Sequence, residues 1–149
     1  MDAALREAFG VEGQWGLWKE HIVRWAECDI YAHVNHAAYL TLFEDMRIEW
    51  WLGAGGAFAP DQPGPVVGSL EVKYHRPGHF RDTVLLTART ASFRRTSFVH
   101  QYAMWRKDGL LCSARALCVV VDNATGRKAE IPDAMRRIMA ERDGAVAEV

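Results

Sequence analysis

One stretch of helical period, followed by a long region of strand-like alternation, constrains this chain more than any other feature. Asn35 can accept a hydrogen bond from a free N–H of a first helical turn, and the glycines from Gly53 onward end the helical pattern. Between them, apolar side chains recur at helical spacing, at Tyr39, Leu42, Phe43, Met46 and Trp50. The sequence therefore predicts one long helix over residues 36–52.

Strand patterns precede and follow this helix. The aromatic and β-branched run at 15–26 predicts a first strand. After a loop at 54–65 that is rich in glycine and proline, four more strands are predicted, over 66–76, 83–93, 97–106 and 110–122. Short connections at 94–96 and 107–109 suit hairpins, and Pro132 starts a short terminal helix.

This order of elements predicts an α+β fold. A lone helix and one antiparallel sheet both bury their apolar surfaces only when the helix lies on a face of the sheet. Small side chains share one face of the last predicted strand and would let the helix lie close: Cys112, Ala114, Ala116 and Cys118. We expect an antiparallel sheet of about five strands wrapped around one long helix, in a single domain over 1–149 whose residues 1–14 form a loose or peripheral arm.

Composition excludes several classes of protein. The chain has 149 residues and a formal net charge of −1, whereas a general nucleic-acid binder is usually strongly basic. Its three cysteines match no zinc spacing and no disulfide framework, which favours a reducing compartment. The N-terminus lacks the layout of a secretory signal, and no apolar run reaches the length of a membrane span. We expect a cytoplasmic protein without nucleic-acid or membrane partners.

The polar turn before the helix carries the most specific motif, Arg24-Trp-Ala-Glu-Cys-Asp-Ile-Tyr-Ala-His-Val-Asn-His-Ala-Ala-Tyr39. It resembles the family of 4-hydroxybenzoyl-CoA thioesterases and their bacterial acyl-CoA thioesterase relatives, in which a tyrosine follows an aspartate by ten residues, as Tyr39 follows Asp29. The segments 93–99 and 126–132 are similar to the family's basic hairpin turn and to its ending. The resemblance covers roughly 17–140 and implies a hotdog-fold enzyme that hydrolyses an acyl- or aroyl-coenzyme A thioester.

The resemblance also implies roles for particular residues. Asp29 is the nucleophile or the general base, and the backbone N–H of His36 binds the thioester carbonyl oxygen. The residues themselves favour this chemistry, because a carboxylate lies near the free, partly positive N–H groups of a helix start. Ala32 stands where the family usually has glycine, so a left-handed turn there would be strained.

Coenzyme A binding is expected at the basic hairpin turn Arg94-Arg95-Thr96, since arginine grips phosphates through paired hydrogen bonds. Weaker candidates for anion binding flank the Pro77-Gly78 break, at His75, Arg76 and His79. No cofactor is expected beyond the coenzyme A of the substrate. The family implies a homodimer or homotetramer with the site between two subunits.

Other interpretations stay open at the level of sequence. Asp29, His33 and His36 could bind zinc, but they straddle the helix start, so no metal is expected. Glu44 is another candidate acid, although an ion pair with Arg47 is the favoured interpretation. Alternative functions are an acyl carrier protein thioesterase, a hotdog hydratase and a non-catalytic acyl-CoA-binding dimer module. For the hydratase, His33 with Glu44 is the pair that comes nearest to the required motif.

Overall fold

The computed structural model describes all 149 residues and contains three α-helices and six β-strands. The helices are α1 (Ala3–Phe9), α2 (His36–Gly53) and α3 (Asp133–Glu141). The strands are β1 (Leu17–Ile22), β2 (Pro63–Tyr74), β3 (Thr83–Phe93), β4 (Ser97–Arg106), β5 (Gly109–Asp122) and β6 (Val146–Ala147). A single 3-10 turn, Trp25–Glu27, lies between β1 and α2. None of the three helices combines the length and the apolar character needed to cross a bilayer.

The strands form one sheet in the order β1-β3-β4-β5-β2, in which all neighbours are antiparallel. The short β6, which the sequence did not predict, adds in parallel beside the end of β3. The predicted β3 and β4 have the observed bounds, but β1 is shorter than 15–26. β2 begins earlier than predicted, at Pro63, and also contains Pro65. Proline is tolerated there because β2 is an edge strand that pairs only with β5.

The buried face of α2 packs on the sheet. All five predicted apolar positions of the helix are buried, and so is Trp51. The ring of Phe43 stacks on Tyr102 with centroids 5.2 Å apart, and Trp50 stacks on Phe98 at 5.9 Å. Aromatic pairs of this kind add to the free energy gained from burial. The helix is therefore fixed by aromatic contacts with the middle of the sheet.

Small side chains on β5 make this packing possible, although not in the predicted way. The helix backbone lies nearest β3 and β1 rather than β5. The small residues of β5 instead register beside large residues of β4, in the pairs Cys118 with Phe98, Ala116 with His100, Ala114 with Tyr102 and Cys112 with Met104. Each small side chain of β5 leaves room for its large neighbour on β4, so the large β4 side chains fill the space under α2.

Residues 1–14 lie outside the sheet and contain the helix α1, which the sequence did not predict. Phe9 and Val11 are buried in a second apolar cluster on the sheet face opposite α2, with Leu85, Ala103 and Trp105. These residues alternate with the core-facing positions of β3 and β4. The arm therefore seals part of a face that α2 cannot reach.

A buried carboxylate ties the C-terminal segment to α2. Asp143 is fully buried and accepts hydrogen bonds from Trp50 Nε1 (2.7 Å), the Thr90 backbone N–H (2.7 Å) and Arg142 Nε (3.0 Å). A buried charge is tolerated only when it is paired and hydrogen-bonded in this way. The chain after α3 is thus part of the support of the central helix.

Candidate active site

Asp29 lies in a tight polar turn that joins the 3-10 turn to α2. Its N–H donates to the His33 carbonyl (2.9 Å), and its own carbonyl accepts from the Ala32 N–H (3.0 Å). One carboxylate oxygen, Oδ1, accepts the N–H of Tyr31 at 2.9 Å. The turn therefore fixes the carboxyl group through one oxygen, while the other has no hydrogen-bond donor within the chain.

The turn requires a left-handed backbone at Ala32. This residue has a φ of +57°, a conformation that costs an L-residue roughly 1–2 kcal/mol and that glycine adopts freely. The strain expected from an alanine at this position is therefore present. It lies three residues after Asp29, so backbone energy is stored beside the candidate catalytic carboxylate.

Glu27 holds the segment around this turn at two points, through its buried carboxylate on one side and its backbone carbonyl on the other. The carboxylate accepts hydrogen bonds from the Arg24 backbone N–H (2.9 Å) and guanidinium (2.6 Å), and it lies 2.8 Å from His21 Nε2. The Glu27 carbonyl accepts from the N–H of Asn35 at 2.8 Å. Burial acts to raise the pKa of Glu27, but the hydrogen bonds from Arg24 and His21 outweigh burial and lower the pKa below its ordinary value of 4.5. An ionised Glu27 thus clamps the segment 24–35.

The first turn of α2 presents a free backbone donor. Asn35 caps the helix as predicted, since its Oδ1 accepts the N–H of Ala37 at 2.8 Å. The N–H of His36 has no acceptor within the chain. The His36 carbonyl accepts the Tyr74 hydroxyl at 3.3 Å, which ties the helix start to the end of β2. A free N–H at a helix N-terminus carries partial positive charge and suits a carbonyl oxygen.

An open cavity of about 360 Å³ joins these groups. Asp29 and His36 both line it, so the structure brings together the two residues that the sequence predicted as catalytic. Further walls come from α2, the end of β2 and the segment after β2, and include His33, Tyr39, Tyr74, His75 and Arg76. The cavity has room for a substrate group between the carboxylate and the helix start.

Tyr39, the second residue of the motif, supports this cavity from the core. It is buried, its hydroxyl accepts the N–H of Gly78 at 3.2 Å, and burial raises its pKa. A Cβ atom at Gly78 would lie 2.9 Å from the Val34 side chain. The segment after β2 can therefore approach the Asp29 turn only with glycine at this position.

His33 packs on the cavity wall against His79, with ring centroids 5.1 Å apart. The backbones of the two residues form an isolated β-bridge. Asp29, His33 and His36 line one cavity, but no group of three or more His, Cys, Asp or Glu side chains in the chain is arranged to hold a metal ion. The contacts of His33 join the turn to the segment after β2.

The predicted coenzyme A contacts lie at the opposite end of the sheet. β3 has 11 residues and runs from the Asp29 end to the hairpin 94–96, a span of roughly 35 Å. There Arg94 pairs with Glu148 at 3.0 Å, and Arg95 pairs with Glu130 at 2.7 Å. All four side chains of these two pairs are exposed, so the pairs are weak. One chain therefore does not bring Arg94, Arg95 and Thr96 to Asp29.

Two supporting residues of the site were missed at the sequence level. Glu27 lies three residues after Arg24, a spacing at which a Glu side chain reaches back to the N–H that starts a turn, and this signal could have identified it. Tyr74 has no local signal, because its role depends on β2 ending beside the start of α2. His75 and Arg76, predicted as weaker anion-binding candidates, do line the cavity.

The family model described as the thioesterase-like superfamily matches residues 23–139. The chain belongs to this superfamily. The match begins just before the Asp29 turn and ends within α3, so it contains the whole cavity. No curated protein matches the sequence significantly.

Solved structures of the superfamily share the fold. A thioesterase superfamily protein from Jannaschia sp. CCS1 has a TM-score of 0.89 at 25% identity, over 99% of this chain and 96% of that one. A thioesterase from Thermus thermophilus, complexed with coenzyme A and Zn, has a TM-score of 0.74 at 25% identity, over 89% and 98%. A 1,4-dihydroxy-2-naphthoyl-CoA thioesterase from Synechocystis has a TM-score of 0.75 at 16% identity, over 88% and 98%. The predicted hotdog fold is confirmed.

The strain at Ala32 predicts that Ala32→Gly stabilises the protein, by up to about 1 kcal/mol after the larger entropy loss of glycine is subtracted. Ala37→Gly, at an exposed position in the first turn of α2, should instead destabilise it by about 0.5–1 kcal/mol. Urea unfolding of the three proteins measures both changes. A loss of stability in Ala32→Gly would show that the turn tolerates alanine without cost.

The clamp at Glu27 predicts a pH-dependent loss of stability in Glu27→Gln. Because the folded pKa is lowered, the carboxylate stabilises the fold above its ordinary pKa of 4.5, and this stabilisation disappears as the pH falls through the lowered value. The variant should lose about 1–3 kcal/mol at pH 7 and approach wild type in acid. Unfolding across a pH series measures this, with the exposed Glu20→Gln as control. A difference that does not shrink in acid would contradict the clamp.

Proposed function

We propose that this protein is an acyl-coenzyme A thioesterase that hydrolyses an acyl- or aroyl-coenzyme A thioester, with Asp29 as nucleophile or general base. One observation carries the proposal: Asp29 and His36 line the same open cavity, and the backbone N–H of His36 has no acceptor within the chain. Thioester hydrolysis needs an activated nucleophile and a donor for the developing oxyanion. The two groups supply these two requirements.

The reaction follows from this geometry. The thioester carbonyl oxygen accepts the N–H of His36, which polarises the carbonyl carbon. Either Asp29 removes a proton from water as the water adds to that carbon, or the carboxylate attacks and water then hydrolyses the mixed anhydride. In both routes the C–S bond breaks, and the products are a carboxylic acid and the free thiol of coenzyme A. The substrate brings the coenzyme A, and no further cofactor takes part.

A homodimer would complete the site. β2 is an edge strand of 12 residues, and its exposed apolar side chains are Val66, Val67, Leu70 and Tyr74. A two-fold axis at this edge would pair two copies of β2 in antiparallel order. The Asp29 end of one chain would then lie beside the Arg94 end of its partner, because Thr96 bonds to β5 next to the start of β2. A tetramer would contain two such dimers.

Acyl carrier protein is the one alternative to coenzyme A as the carrier of the acyl group. Beside the Asp29 turn, the exposed rings of Trp25 and Phe80 pack edge to face at 5.5 Å, and the Arg81 guanidinium lies 5.1 Å from the Phe80 ring. An apolar patch with a basic residue suits an acidic acyl carrier protein. The thiol ester and the chemistry would be the same. The three free thiols of the chain accord with a cytoplasmic reaction in either case.

Asp29→Asn should lower kcat/KM by about a thousandfold or more, because the amide can act neither as base nor as nucleophile. The measurement is the release of free thiol from aromatic and aliphatic acyl-CoA esters and from acyl carrier protein. Asp61→Asn, in an exposed loop, is the matched control and should keep wild-type activity. A fully active Asp29→Asn would refute the role of Asp29. Binding of acyl-CoA without turnover would favour a non-catalytic module.

A shared site predicts complementation between two inactive variants. One chain carries Asp29→Asn, and the other carries Arg94→Glu with Arg95→Glu; each alone should be impaired. After joint refolding, half of the dimers are mixed and each mixed dimer has one intact site, so about a quarter of wild-type activity should return.

The exposed Arg137→Glu serves as the charge control for the double variant, and sedimentation checks that dimers form. If both arginines act within their own chain, mixing restores nothing, because no mixed dimer then contains an intact site.

A further inference from the structure

A second cavity lies along the same seam between α2 and β2, toward the middle of the helix. It has a volume of about 270 Å³, and its apolar walls are Leu40, Phe43, Val67 and Leu70. Four residues with polar groups, Thr41, Glu44, Arg47 and Tyr102, also line it. A mainly apolar cavity with a few convergent polar groups is typical of a ligand site.

The second cavity lies in line with the Asp29 cavity. His36, Leu40, Phe43 and Arg47 follow one another at helical spacing on one face of α2. Across the seam, Leu70 and Tyr74 share a face of β2, and Tyr74 belongs to the Asp29 cavity. The helix axis rises by roughly 16 Å from His36 to Arg47, and long helical side chains lean back toward the N-terminus. An acyl group held at His36 and extended along the seam would therefore point at Arg47.

Arg47 is held rigidly but keeps unused donors. Its side chain is only 13% exposed, and Nη1 donates to the Tyr102 hydroxyl at 3.1 Å. Tyr102 in turn lies 3.1 Å from Nδ1 of His100, whose full burial lowers its pKa to about 3 and keeps it neutral. The phenol oxygen accepts from Arg47, and the same hydroxyl shares a second hydrogen bond with His100 Nδ1. This chain of contacts fixes the guanidinium plane.

The partners of Arg47 within the chain do not neutralise it fully. A guanidinium has five N–H donors; one is used by Tyr102, and the nearest carboxylate, Glu44, is 3.5 Å from Nη2. Glu44 is 59% exposed and can turn into solvent at little cost. Arg47 lines the cavity, and none of its nitrogens is buried without a partner, so the donors that Tyr102 does not use are accessible. A planar fork of this kind matches a carboxylate through two parallel hydrogen bonds.

We infer that Arg47 selects acyl groups that carry a carboxylate at their far end, so that the substrate class is the ω-carboxyacyl thioesters. The apolar walls take the methylene chain, and Arg47 binds the terminal carboxylate in place of Glu44. This inference rests on the proposed thioesterase function and adds its specificity. Arg47 acts at the tip of the substrate, away from the thioester, and Glu44 competes with the substrate for the same guanidinium.

The test compares matched pairs of coenzyme A esters, ω-carboxyacyl and unsubstituted acyl of equal chain length, over short and medium chains. Wild type should prefer the ω-carboxy member of at least one pair by about tenfold or more in kcat/KM. In Arg47→Met that ratio should fall toward one, since the ω-carboxy ester loses far more rate than its partner. In Glu44→Gln the ratio should rise, because the competing carboxylate is gone.

Opposite shifts of this ratio in Arg47→Met and Glu44→Gln would distinguish substrate recognition by Arg47 from a role in supporting the fold. Arg47→Lys keeps the charge but not the planar fork, so its ratio should lie between those of wild type and Arg47→Met. This variant replaces Arg47→Met in the test if the methionine variant does not fold. Equal losses on both members of every pair would assign Arg47 a structural role and overturn the inference. So would a wild-type enzyme that hydrolyses the unsubstituted esters at least as well. If wild type hydrolyses no acyl-CoA ester, the proposed function itself fails.

Discussion

The packing of α2 on the sheet is the interaction on which the rest of the structure depends. Its aromatic side chains stack on β4, and β4 has room for large residues only because β5 presents small ones beside them. Since the buried length of the helix is fixed in this way, its first turn must emerge at the end of the sheet. The free N–H of His36 is therefore a consequence of core packing, and the cavity forms where the helix start meets β2 and the Asp29 turn.

The turn that carries Asp29 is energetically less favourable than the core beneath it. Ala32 is held at a positive φ, and the ionised carboxylate of Glu27 is largely buried, with its side chain only 7% exposed. Both are costs that a purely structural turn would avoid, and such costs persist only where surrounding contacts over-determine the backbone. The contacts are present in the hydrogen bonds from Arg24 to Glu27 and from Asn35 to the Glu27 carbonyl. These energetic costs accompany a rigid turn, which holds the Asp29 carboxylate in place.

Local pattern predicted much of this fold because its determinants are local. The helical period from Asn35 and the alternation in β3 and β4 place those elements closely, and the apolar positions of α2 are all buried. The early start of β2 was missed because Pro63 and Pro65 argue against a strand until the strand is known to be an edge. Tyr74 was missed for a related reason, because its contact with the His36 carbonyl joins segments far apart in the sequence and no periodicity reports such a contact. Glu27 was missed although its spacing from Arg24 is a local signal.

The difference between local patterns and long-range contacts also explains why the site looks incomplete in one chain. Sequence motifs placed Asp29 and Arg94–Arg95 in one functional set, and the sheet separates them by the full length of β3. An antiparallel pairing of two β2 edges would bring opposite ends of the sheet together, and it would cover an apolar edge that a lone chain leaves in water. It would also close the open side of the α2–β2 seam, where Val67 and Leu70 border the cavity of Arg47. Dehydration of that cavity strengthens a guanidinium–carboxylate contact, so the proposed assembly and the proposed specificity depend on the same edge.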